Sequence, residues 1–238
     1  MPKPLKTMTL ASAGVLALAL ACGPCRAADA PAKTSRYPAM APIADYRQAD
    51  EVAMARSAAP ASISGEAEVM TLGARGYETA AKGKNGFVCM VQRSWASDFD
   101  DPEFWNPKER GPICFNPASV SSVLPSYLKR TEWVLAGVSK ADLLARTKAA
   151  YAARTFTPPQ AGAMAYMMSK AGYLNDAAGG HWHPHLMFFL PRTAPGDWGA
   201  NLPGAPVLGA AAASEPVTVF FVPVANWSDG TPGAMKME

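Results

Sequence analysis

The chain has 238 residues, with 22 Lys or Arg against 19 Asp or Glu, 49% hydrophobic residues and four cysteines. Lys3, Lys6 and Arg26 account for the positive excess, and without them basic and acidic residues balance at 19 each. A balanced body gives no electrostatic reason to bind nucleic acid or anionic lipid, and no basic stripe is present.

From the start of the chain, Lys3 and Lys6 precede Leu10 to Ala21, an uncharged run rich in Leu and Ala, and small residues then lead to Cys25-Arg26-Ala27. The run is too short to span a bilayer, which takes about 18 to 20 apolar residues. The order fits a signal peptide over 1–27, cut after Ala27 with small residues at Ala27 and Cys25, and so a periplasmic or secreted protein. The alternative, a lipoprotein acylated at Cys22, is weaker because Ala19-Leu20-Ala21 fits a lipidation box poorly. No later stretch reads as a membrane helix. Cleavage leaves Cys89 and Cys114, which are expected to pair as a disulfide closing a loop of about 26 residues.

Residues 28–46, rich in Ala and Pro, read as a flexible lead-in, and 47–238 as a single globular domain. Asp45 to Ala59 predicts a helix stopped by Pro60. Ala67 to Leu72, Tyr77 to Ala81 and Phe87 to Arg93 predict strands, separated by Gly-containing turns. Ser94 to Gly111 has no period and carries Trp95, Phe99, Phe104 and Trp105 among acidic residues. The expected disulfide brackets it. Asn116 then caps a helix that Pro125 must bend or break and that ends at Gly137. Ser139 opens another, with Asp142 in the glutamate place of a capping box, running to about Arg154. Ala163 to Ser169, His185 to Leu190 and Val217 to Val224 predict further strands, with a Gly- and Pro-rich loop over 191–216. The fold class expected is α+β, a mainly antiparallel sheet with about three helices packed on one side.

The three histidines all lie in His181-Trp182-His183-Pro184-His185. Imidazole is a common ligand of transition metals, zinc or copper here, and alternate residues of an extended chain share a face. A straight strand spaces alternate residues by about 6.6 Å, against metal–nitrogen bonds of about 2.1 Å. Two of the three histidines plus an outside ligand are therefore expected: Asp176, Glu103, Asp229, or for copper(I) Met167, Met168 and Met187. The competing reading is structural, with the imidazoles bonded to backbone and Trp182 in the core. Asp98, Asp100 and Asp101 lack the glycine and distal glutamate of a calcium loop. Trp95 and Trp105 read either as a stacking surface for a ligand or as packing over the disulfide. Ser228-Asp229 lacks the setting of a catalytic serine.

The runs Asn85-Gly86-Phe87-Val88-Cys89, Trp105-Asn106-Pro107, Pro112-Ile113-Cys114-Phe115-Asn116 and Gly180 to Pro191 resemble a group of exported bacterial proteins with no assigned activity, over about Ala53 to Trp227. The resemblance implies no reaction, fold or cofactor. The functional expectation is an exported protein binding a transition metal through His181, His183 and His185. Its rival is a non-catalytic extracytoplasmic domain that binds a small molecule or an envelope component and has structural histidines.

Overall fold

Residues 48–175 and 182–233 are described in this computed structural model, so the expected signal peptide and the whole of the lead-in lie outside the described residues. The described chain runs α1 (Gln48–Arg56), α2 (Ala61–Ser64), β1 (Glu68–Leu72), β2 (Tyr77–Ala81), β3 (Val88–Gln92), β4 (Gly111–Phe115), α3 (Pro117–Ser122), α4 (Leu124–Leu135), α5 (Lys140–Ala152), β5 (Met164–Met167), β6 (His185–Pro191), β7 (Leu208–Ala211) and β8 (Val217–Pro223). The strands form one sheet in the order β2-β1-β3-β4-β5-β6-β8-β7. Every neighbouring pair is antiparallel except β1 with β3. The α+β class and mainly antiparallel sheet read from the sequence are those of the structure.

The pleat decides what each side chain of the central strands meets, because successive residues point to opposite faces. Val88, Met90, Ile113 and Phe115 face one way, into a core completed by Val123, Leu124 and Tyr127 of the α3–α4 region. Cys89, Val91 and Cys114 face the other way, against Ala55, Ala58 and Ala59 at and beyond the end of α1. The helices therefore occupy both faces rather than one side, and the described residues hold five α-helices rather than about three. The reason is that β3 and β4 are buried along their whole length. An apolar strand of this kind needs a cover on each face. Alanines at the α1 contact let the helix backbone come close to the sheet.

Cys89 and Cys114 are direct cross-strand partners, fully buried, with Cα atoms 4.0 Å apart, and they form the expected disulfide. Strand β4 was not legible in the sequence because Pro112 sits in it. Proline is tolerated there for a geometric reason. The short Cys89–Cys114 Cα separation marks a non-hydrogen-bonded pair, so two residues on, the Val91–Pro112 pair also needs no N–H from residue 112 toward β3. On the other side, the β4–β5 pairing involves Cys114 and Phe115 only.

Local signals set the helix ends. The Asn116 side chain accepts from Ser119 N at 3.0 Å and from Met164 N at 3.1 Å, capping α3 while tying it to β5. The expected break near Pro125 falls at Val123, which leaves Pro125 in the first turn of α4. Gly137, at φ +77°, ends α4: its N–H reaches Val134 O and that of Val138 reaches Trp133 O. Ser139 caps α5 by accepting from Asp142 N and donating to the Asp142 carboxylate. Among the described residues no helix is long and apolar enough to cross a membrane.

One buried ion pair ties α1 to the sheet. Arg93 donates to Glu51 at 2.9 Å with both side chains 4% exposed, and Glu51 also accepts from Leu72 N. A buried cation stripped of its carboxylate is costly, whereas replacing the whole pair by apolar groups is far less so. Glu51→Leu is expected to lose about 3–5 kcal/mol in urea denaturation. Glu51→Leu combined with Arg93→Met is expected to recover most of that loss.

Candidate functional site

The close packing of the helices is onto β1, β3, β4 and β5, while β6, β8 and β7 extend the sheet beyond them. A cavity of about 500 Å³ opens above that extension. Its floor is one face of the pleat: Met167 of β5, Met187 and Phe189 of β6, Val219 and Phe221 of β8, and Leu208 of β7. Tyr127 and Arg130 of α4 stand over it with Tyr151 of α5, and the segment between β3 and β4 contributes Asp98, Asp101 and Glu109. Leu208 and Ala210 are exposed, which puts an opening at the β7 edge.

Mostly apolar, this lining also includes four residues with a buried polar atom that has no hydrogen-bond partner among the described residues: Gln92 Oε1, Glu109 Oε2, Arg130 Nε and Trp182 Nε1. Such atoms cost stability in a folded protein, and native structures retain few of them. Two glycines shape this region. A Cβ at Gly111 would stand 2.6 Å from Gln92 Cγ, so the glutamine side chain crosses its cross-strand partner only because no side chain is there. A Cβ at Gly172 would stand 2.4 Å from Trp182 Cζ2, so that glycine seats the indole ring.

Glu109 is 1% exposed. Burial, reinforced by the neighbouring carboxylates of Asp101 and Glu103, pushes its carboxyl from the ordinary 4.5 up to about 8. It is a neutral acid at pH 7. Arg130 is also nearly buried. It donates to Glu215 at 3.0 Å and to Ser97 O at 2.6 Å, and its guanidinium lies 4.4 Å from the centre of the Phe99 ring. Burial raises the Glu215 carboxyl, with Arg130 opposing and Asp98 adding to the rise. Burial also lifts the Tyr127 and Tyr151 phenols above the usual tyrosine value.

Of the three candidate metal ligands, His183 and His185 border this cavity, and His181 lies outside the described residues, as does Asp176. His185 Nδ1 is 2.7 Å from His183 O; a carbonyl only accepts, so Nδ1 carries the hydrogen and Nε2 keeps its lone pair. Burial is the main cause holding the His185 pKa below 6.5; the His183 charge adds to it and the carbonyl bond opposes it. Among the described residues no group of three His, Cys, Asp or Glu side chains could hold a metal ion. The outside ligands expected from Glu103 and Asp229 are engaged elsewhere. Glu103 accepts from Asn106 Nδ2, and Asp229 pairs with Lys170 at 2.8 Å. Met167 and Met187 do border the cavity with His185, and Met167 is its direct cross-strand partner.

The aromatic segment takes the packing role, but not over the disulfide. Trp95, Phe99 and Phe104 form a core with Val134 of α4 and Leu143 of α5, and Trp95 Nε1 donates to Thr131 Oγ1. Its aspartates serve turns, Asp98 accepting from Phe99 N and Asp101 from Glu103 N. Glu109, Arg130, Glu215 and Gln92 carried no local signal, since four elements distant in sequence bring them together. No protein-family model, curated protein or solved structure matches the chain.

The raised Glu109 pKa has a signed consequence for stability. The folded protein holds this proton up to about pH 8, whereas an unfolded chain releases it near 4.5. The contribution is fully present below that lower value and is lost as pH rises toward the upper one. In denaturant titrations over this range, Glu109→Gln is expected to gain stability relative to the parent as pH increases, with no relative gain at the acid end.

Proposed function

We propose that this is an exported, periplasmic or secreted protein that captures a small, mainly apolar molecule in the cavity above β6, β8 and β7. A single observation carries the reading: a cavity of about 500 Å³, floored by apolar side chains, is bordered by four residues that each hold a buried polar atom with no partner among the described residues. Ligand sites have this make-up, a largely apolar concavity of a few hundred Å³ with a few polar groups that fix orientation. Export is supported by the leader-like order of residues 1–27 and by the buried disulfide, which belongs to oxidising compartments. The binding surface is thus the sheet face and not the aromatic segment Trp95 to Trp105, whose rings are largely spent on the core.

Octanol, a neutral amphiphile, is the probe. It is expected to bind with one-to-one stoichiometry and to quench or shift the emission of Trp182. Val219→Trp, which fills the floor from within an existing space, is expected to abolish binding with little change in thermal unfolding. Octanol that binds Val219→Trp undiminished, or failure of octanol and of its amine and carboxylate analogues alike to bind, overturns the reading.

A second reading, a zinc or copper ion held by His183 and His185, is favoured by His185 Nε2 having its lone pair free and by Met167 and Met187 beside it. Metal analysis of protein matured in a periplasm decides it. A stoichiometric ion lost in His183→Ala supports it, and metal-free protein with no ion affinity rules it out.

A further inference from the structure

Among the described residues, carboxyl groups outnumber basic side chains around the cavity. Asp98, Asp101, Glu109 and Glu215 border it, and Arg130 is the one Lys or Arg among its described lining residues. Arg130 is already paired with Glu215 at 3.0 Å. Asp98, Asp101 and Glu109 have no cationic partner among the described residues. Beside these acids, two buried acceptors remain unpartnered, Glu109 Oε2 on a residue 1% exposed and Gln92 Oε1 on one 9% exposed. A cavity with surplus carboxyl groups and unused acceptors disfavours an anionic ligand, such as a fatty acid, and fits a cation that carries N–H donors.

We infer that the ligand is an amphipathic amine, its apolar body on the sheet face and its ammonium group held at Glu109 and Gln92 with Asp101 in support. This rests on the cavity reading above and deepens it. Ammonium donates three hydrogen bonds and accepts none, which matches the acceptors left open. Trp182 Nε1 and Arg130 Nε, the two unpartnered donors, are then free for an oxygen elsewhere on the ligand. An ammonium placed beside Glu109 offsets the burial and the neighbouring carboxylates that keep it protonated, so the acid releases its proton and becomes the counter-ion. The groups that set this balance are Asp98, Asp101 and Glu103 on the segment before β4, Arg130 with Glu215, Tyr127 and Tyr151 on the helix side, and His183 and His185 at the start of β6.

Octylamine, octanol and octanoate, matched in chain length, test the inference by calorimetric titration of the full chain with its disulfide intact. Octylamine is expected to bind at least about tenfold more tightly than octanol, with octanoate weakest. Amine uptake is expected to release about one proton, and the amine affinity to rise by about tenfold per pH unit below the Glu109 pKa. In Glu109→Gln the advantage of amine over alcohol and the proton release are expected to vanish while octanol still binds. Asp101→Asn, a milder change at a half-buried side chain, is expected to reduce the amine advantage in part. Equal binding of amine and alcohol, preference for octanoate, or an amine advantage that survives Glu109→Gln overturns the amine assignment and leaves the cavity reading standing. Failure of all three probes overturns both.

Discussion

Strands β3 and β4 are buried on both faces, and the rest of the architecture follows from that constraint. Their even and odd residues feed separate cores, one under α3 and α4, the other under α1. The segment joining them must leave Gln92 and return at Gly111, which are cross-strand partners. Eighteen residues with matched ends have nowhere to go but outward from that end of the sheet. There they fold against α4 and α5 through Trp95, Phe99 and Phe104, and they carry Asp98, Asp101 and Glu109 to the cavity. The site is a by-product of a hairpin whose connection was too long to be a turn.

The parts of the fold that were legible in the sequence are those written in neighbouring residues. Asn116 before Pro117, Ser139 before Asp142 and Gly137 after a helical run each act over a few positions, and each does in the structure what the sequence implied. The Cys89–Cys114 pair was legible because these are the two cysteines that follow residue 25. Strand β4 was hidden by Pro112, whose missing N–H matters only if a neighbour needs it. Strand β7 was hidden by its composition, Leu-Gly-Ala-Ala, which has little strand preference and pairs because β8 offers an edge.

The site was less legible than the fold, for a related reason. His183 and His185 were conspicuous as a cluster, and both reach the cavity. Glu109, Arg130 and Glu215 look in sequence like ordinary surface charges. What sets them apart is burial, and burial is decided by the packing of α4 on the 94–110 segment and the turn before β8. The same burial works in opposite directions on the two chemistries, protonating the acid Glu109 and deprotonating the base His185, so that both are uncharged at neutral pH. At these two positions of the wall, charge has to be brought in by the guest.

The position of the cystine bears on how the protein would have to be made. It joins the two strands from whose ends the roof of the chamber springs, with Cys89 three residues before Gln92 and Cys114 three after Gly111. Material produced in a reducing cytosol would lack the covalent stitch at the base of that roof and would give a misleadingly poor picture of what the chamber holds. Recombinant preparations meant for ligand screening therefore belong in an oxidising host compartment, and a thiol count is the quality control to run before any screen.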